Sequence, residues 1–174
     1  MYENSMPDRR YSKTLSFLTE QLPAPAKILD LGVTNPFAER MQHAGYEVVN
    51  TGGEDLDEDR STVMQAGFDA CTAFEIFEHL LSPYELLKSI EAPQLIGSIP
   101  INVWFAPPHR NPNDPWDRHF HEFEPWQLDW LLEKTGWEIV RSETWTSPDR
   151  LRFGIRPLLR FIWPSYYFFH CKRK

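Results

Sequence analysis

Cysteine is nearly absent from this 174-residue chain: Cys71 and Cys171 lie far apart and match no metal-binding or redox spacing. A reduced, cytoplasmic protein is the expectation that follows. Long apolar runs are missing as well. No stretch approaches the ~20 residues that a membrane-spanning helix requires, and the first ten residues lack the apolar core of a signal peptide. There is no internal repeat and no low-complexity segment. Positive charge is scarce over most of the length. Seven of the 18 Lys and Arg fall in residues 150–174, a segment without one acid, so the other 149 residues carry 11 basic against 25 acidic side chains, a net −14. So acidic a body argues against general nucleic-acid binding through the main surface.

What is present suits a soluble globular protein: 41% hydrophobic and 25% charged residues, read as one domain over 1–174 with room for a sizeable core. Residues 27–36 organise the reading. Ile28, Leu29 and Leu31 form an apolar run too short for a helix and without alternation, as in a strand buried on both faces of a parallel sheet. Gly32 ends it. Asn35 and Pro36 then signal a helix start, Asn as a cap and Pro at the first helical position. Strand, tight turn and helix open a nucleotide-type βαβ unit, whose helix N-terminus is a natural seat for an anionic group. Asp30, near the end of a buried strand, needs a partner, either backbone N–H groups or a cationic ligand.

The remaining elements follow from periodicity and punctuation. Residues 11–21 read as a helix with Leu15, Leu18 and Leu22 on one face, ended by Pro23 and Pro25. Residues 36–44 are the next helix, stopped at Gly45, and 46–51 the second strand. The interval 51–68 is short for a further strand and helix, so the third strand is expected to be reduced or missing. Residues 68–73 form the next buried strand; Ser82, Pro83 and Glu85 then open a helix with a capping box. Residues 95–100 are a strand that Pro100 ends. The proline-rich stretch 101–120 lacks periodicity, and so long an irregular segment reads as a lid or binding loop. Glu124 and Pro125 start a helix whose Trp126, Trp130, Leu128, Leu131 and Leu132, with Trp137 beyond it, are expected in the core. Gly136 stops it, 137–145 alternates as a strand, and 166–172 returns as an antiparallel last strand.

Ile28-Leu29-Asp30-Leu31-Gly32 resembles motif I of the class I S-adenosylmethionine-dependent methyltransferases, although Thr34 and Pro36 stand where that family places further glycines. A Cβ at Thr34 would obstruct the close backbone approach that the second glycine permits. The stretch 68–83, Phe-Asp-Ala-Cys-Thr-Ala-Phe-Glu-Ile-Phe-Glu-His-Leu-Leu-Ser-Pro, resembles the strand-four segment of small-molecule methyltransferases. It does not resemble the Asn/Asp-Pro-Pro-aromatic motif of those that modify amino groups of DNA bases. His-Phe-His-Glu-Phe-Glu-Pro and Gly-Trp-Glu-Ile resemble the family's C-terminal half, so the likeness covers 27–145. It implies an α/β, Rossmann-like fold: a mostly parallel sheet with helices on both faces and an antiparallel last strand, completed by the basic and aromatic segment 150–174. It also implies S-adenosylmethionine as cofactor and methyl transfer to a small-molecule acceptor. The rival is a methyltransferase-like binding or scaffold protein that has lost its cofactor. An oxidoreductase of Rossmann type is disfavoured, because no Gly-x-Gly-x-x-Gly follows the first strand.

The resemblance places the cofactor on Asp30, Gly32, Thr34 and Asn35, and on Glu75 after strand four. The second strand ends Asn50-Thr51-Gly52-Gly53 without the family's ribose-binding acid, so Glu54 or Asp55 is the substitute, unless that loop is merely a solvated acidic one. Methyl transfer is an in-line displacement that rests on positioning; a base is needed only where the acceptor loses a proton. His79 is the leading candidate base, with a capping or packing histidine as the alternative, and His119 is the second. Trp104, Trp116, Arg118 and His121 are candidate grips on a flat or anionic acceptor, the tryptophans alternatively anchoring the loop. His119 and His121 share a face of an extended segment, but without a second cluster at ligand spacing no metal site is expected. In the tail, Arg152, Arg156 and Arg160 recur every four residues among Leu158, Leu159, Phe161, Ile162 and Trp163, a pattern that suits an anionic membrane surface. Pro157 and Pro164 interrupt it, and 166–171 is strand-like. The tail aromatics are therefore expected to fill the core.

Overall fold

Helix starts follow the prolines. In the computed structural model, which describes residues 7–107, 110–146 and 155–174, proline occupies the first turn of α2 (Pro36–His43), α3 (Pro83–Ser89) and α4 (Pro125–Lys134), where its missing N–H costs nothing. Asn35 caps α2 as its sequence position predicts: Oδ1 accepts from the N–H groups of Phe37 (2.9 Å) and Ala38 (3.1 Å). Asn35→Ala is expected to cost about 1 kcal/mol and to lower the thermal midpoint by roughly 2–4 °C. An unchanged melt followed by circular dichroism would mean that water replaces the cap without loss. Ser82 behaves otherwise. Its side chain makes no capping bond, so the capping box read from Ser82 and Glu85 is not formed. The Asp57 carboxylate accepts from the N–H groups of Leu81 (2.7 Å) and Ser82 (2.8 Å) instead, a cap from 25 residues away.

The other elements are α1 (Pro7–Gln21), β1 (Lys27–Asp30), β2 (Glu47–Asn50), β3 (Ala70–Phe74), β4 (Gln94–Pro100), β5 (Trp137–Thr146), α5 (Ile155–Ile162) and β6 (Pro164–Arg173). They form one six-stranded sheet in the order β2-β1-β3-β4-β6-β5. The β2, β1, β3 and β4 ladders are parallel, and β6 runs antiparallel to both β4 and β5. Residues 51–69 make turns and no strand, so the third strand, expected to be reduced or missing, is missing and β2 stands at the edge.

Adjacent residues on each central strand go to opposite faces, which is why these strands read as continuous apolar runs. Ile28, Ala70, Ile96 and Phe168 pack with Phe17, Leu18, Phe37 and Met41 under α1 and α2. Leu29, Cys71, Leu95 and Phe169 pack with Leu86, Leu87, Leu128, Leu132 and Trp137 under α3 and α4. The sheet is thus covered on both sides. Gly97 on β4 is required by packing, because a Cβ there would lie 2.4 Å from the Ala73 carbonyl oxygen and 2.6 Å from Phe169 Cζ.

Two expectations about the core are corrected. Of the α4-region tryptophans only Trp137 is buried, its Nε1 donating to the Leu87 carbonyl at 3.1 Å; Trp126 and Trp130 are exposed and pack on each other. Leu128 and Leu132 already fill the buried stripe of α4, leaving the indoles on its outer side. The tail divides in two. Tyr167, Phe168 and Phe169 on β6 enter the core, whereas Ile155, Leu158, Phe161, Ile162 and Trp163 are exposed, because β6 and not α5 completes the sheet. Arg152 of the four-residue spacing lies outside the described residues. No described helix is long and apolar enough to cross a membrane.

Candidate active site

The carboxyl ends of β1, β3 and β4 open into a cleft of about 1280 Å³, the position where open α/β sheets bind ligands. Strand register builds its floor. Asn50, Asp30 and Thr72 lie side by side on β2, β1 and β3. Asp30 accepts from Thr72 Oγ1 (2.6 Å) and from Asn50 Nδ2 (2.9 Å). It is 3% exposed, and burial pushes its carboxyl up to about 6 against the opposing pull of those two hydrogen bonds. Gly32 follows with φ +113°, a conformation glycine adopts without strain, and its N–H donates to Thr51 Oγ1 at 2.7 Å.

The α2 N-terminus is not an open anion seat, since Asn35 already occupies two of its donors. Thr34 is exposed and its hydroxyl faces Asn50 Oδ1 at 3.4 Å; it is not part of the cleft wall. Above this floor, Gly53 brings the 51–55 loop against Val33. Glu54 and Asp55 line the cleft there. Glu54 Oε1 is buried with no hydrogen-bond partner among the described residues, while Asp55 Oδ1 accepts from Asp57 N–H at 3.0 Å.

The opposite wall grows from the end of β3. Glu75 has φ +58°, the one described non-glycine residue with positive φ, a strained conformation that recurs at functional sites. Arg10 of α1 donates to both its carboxylate oxygens at 2.8 Å. Burial raises the Glu75 carboxyl, and the Arg10 charge opposes that shift. One turn on, Glu78 is 1% exposed, and its carboxyl lies well above the usual range through burial and then the charge of Glu75. His79 Nδ1 donates to the Arg118 carbonyl (3.1 Å), and its ring meets His119 edge-on at 4.8 Å.

The loop 101–120 forms the far side. Asp114 caps the short turn Pro115–Asp117 through Trp116 N–H at 3.0 Å. Of the residues singled out from the sequence, Asp30, Gly32, Asn35, Glu54, Asp55, Glu75, His79, Trp116, Arg118 and His119 line one cleft. Thr34, Trp104 and His121 do not: Trp104 is exposed against Trp163, and His121 packs on Phe123. Sequence reasoning missed Arg10, Tyr11 and Thr14 from α1, together with Glu78 and Tyr166. Only Glu78 left a signal, a second carboxylate three residues after Glu75, next to His79.

No protein-family model matches the sequence, and no curated protein matches it. Solved structures do match its fold. A S-adenosylmethionine-dependent methyltransferase from Mesorhizobium loti is 14% identical with a TM-score of 0.65, over 91% of this chain and 96% of that one. One from Archaeoglobus fulgidus is 14% identical with a TM-score of 0.65, over 95% and 94%. The Burkholderia thailandensis 1,6-didemethyltoxoflavin-N1-methyltransferase, with 1,6-didemethyltoxoflavin and S-adenosylhomocysteine bound, is 18% identical with a TM-score of 0.61, over 94% and 78%. The chain therefore has the fold of the class I S-adenosylmethionine-dependent methyltransferases.

Proposed function

We propose that the cleft binds S-adenosylmethionine along the β1 turn and the 51–55 loop, and that the protein transfers its methyl group to a small molecule. One observation carries this reading: Glu54 Oε1, on the cleft wall, is a buried acceptor without a donor among the described residues. Such an atom is costly unless a ligand satisfies it, and a ribose diol offers two donors. Asp30 places negative charge beside Gly32 for the cationic end of the same ligand. Bound there, the cofactor supplies a methyl group on a positively charged sulfur. This chain's residues position the acceptor against it: Trp116 and Arg118 from the loop, His79 and His119 from the far wall. His79 or His119 receives the proton of an acceptor that must lose one. The S-adenosylhomocysteine in the Burkholderia neighbour supports the choice of cofactor.

Calorimetry tests the reading. The wild-type chain is expected to bind S-adenosylmethionine, and Asp30→Ala to weaken binding at least tenfold, about 1.4 kcal/mol for one lost charge-assisted contact. Wild-type protein that gives no heat at millimolar cofactor would favour the second reading, a scaffold without cofactor. A specific observation favours that rival: Asn50, at the strand end where the family holds ribose, donates its amide to Asp30 (2.9 Å) and to the Gly32 carbonyl (3.2 Å).

A further inference from the structure

The 118–122 loop is tied onto the turn Phe77–His79 by its own backbone. The N–H groups of Phe120 and His121 both donate to the Glu78 carbonyl, at 2.8 and 3.2 Å. This fastening assembles Glu78, His79 and His119, whose ligand atoms all lie within 4.8 Å of one another, the one such trio among the described residues. Glu78 is 1% exposed, and its Oε2 has no hydrogen-bond partner among the described residues. The tautomer of His79 is set by its neighbour. A carbonyl only accepts, so Nδ1, at 3.1 Å from the Arg118 oxygen, carries the hydrogen. Nε2 then presents a lone pair to Glu78 Oε1 at 3.8 Å. At that distance the two make no direct hydrogen bond. His119 Nδ1 has Glu122 Oε1 at 3.4 Å. An imidazole held on one nitrogen by a carbonyl, as His79 is by Arg118, is in the form that ligates metal through the other.

We infer that Glu78, His79 and His119 bind a divalent transition-metal ion, zinc being the match to two histidines and one carboxylate with an open position. A tetrahedral shell sets donors roughly 3.3 Å apart, which small side-chain rotations reach from the present spacing. All three residues line the cleft, so the open position belongs to an acceptor oxygen. On the methyl-transfer reading, on which this clause rests, a ligating hydroxyl loses its proton to solvent at neutral pH. The acceptor class is then a hydroxylated, metal-chelating small molecule, and with the ion bound His79 and His119 serve as its ligands in place of the proton-accepting role they have in a metal-free site.

The full chain, stripped by a chelator, is titrated without cofactor: zinc by calorimetry, cobalt(II) by its visible d–d absorption. One ion per chain is expected, and His119→Ala and Glu78→Gln should each weaken binding roughly a hundredfold and abolish the cobalt spectrum. His79→Gln, at a less buried position, serves where Glu78→Gln fails to fold by circular dichroism. No stoichiometric binding by the wild-type chain, or an affinity unchanged in the folded variants, overturns the site. S-adenosylmethionine is titrated separately on the stripped protein, so its failure to bind sinks the methyl-transfer reading and leaves a demonstrated metal site standing.

Discussion

An alanine at position 97 is expected to destabilise the protein by about 3 kcal/mol or more, at the upper end of what overpacking costs. The new methyl group would sit 2.4 Å from a backbone oxygen, that of Ala73, and 2.6 Å from the Phe169 ring. Neither side yields easily. Ala73 pairs directly with Gly97 in the β3–β4 ladder, and Phe169 faces Gly97 across the β4–β6 ladder. The Phe169 ring is also stacked on Phe77 and packed beside Tyr167. Since whole domains are stable by only ~5–15 kcal/mol, the loss is a large share of the total. Urea unfolding reads it as a midpoint lowered by roughly 1 M or more. A midpoint equal to that of the wild type would show that the sheet opens at little cost.

The second large effect is a gain. Asp30→Asn is expected to stabilise the folded chain at pH 7 by on the order of 1–3 kcal/mol, and to lose that advantage below pH 4. The folded carboxyl sits at about 6 against an ordinary value of 3.8. Between those values the folded chain holds a proton that the unfolded chain has released, so stability falls as pH rises through that window. Above pH 6 the folded state carries a buried carboxylate, at about 1.4 kcal/mol per unit of displacement. Asn removes the charge and keeps one oxygen acceptor and the shape. Unfolding at pH 4 and pH 7.5 checks this, and an equal difference at both values would rule out ionisation as its cause. The same variant should bind S-adenosylmethionine less well, which is the usual trade between stability and a working site.

Features written in short stretches of chain were the legible ones. Asn35-Pro36, Pro83, Pro125 and Gly136 punctuate elements through their own backbone preferences, and the structure follows each of them. The missing third strand was legible because 51–68 is simply too short. What escaped depends on distance. Arg10 meets Glu75 across 65 residues, and no local pattern links them. The tryptophans of α4 and the apolar residues of α5 carry strong hydrophobicity, yet burial goes to whatever the sheet reaches first. Leu128, Leu132 and β6 take that space, leaving Trp126, Trp130 and Phe161 outside. Thr34 was suspected of blocking the cleft on its type alone, whereas its direction, toward Asn50, comes only from the fold.

Parallel strands buried on both faces have a weakness: sliding one by two residues returns every side chain to its former face, so apolar packing discriminates poorly against the error. The row Asn50, Asp30 and Thr72 removes that ambiguity. Any such slide of β2 or β3 takes a hydrogen-bond donor from a carboxylate that water does not reach, a penalty of several kcal/mol that no neighbouring position offsets. β1, β2 and β3 give only four, four and five residues to their ladders, too few for hydrogen-bond count alone to define one alignment. The acid at the floor of the cleft therefore also works as an alignment key, tying the correct assembly of the sheet to the presence of its site.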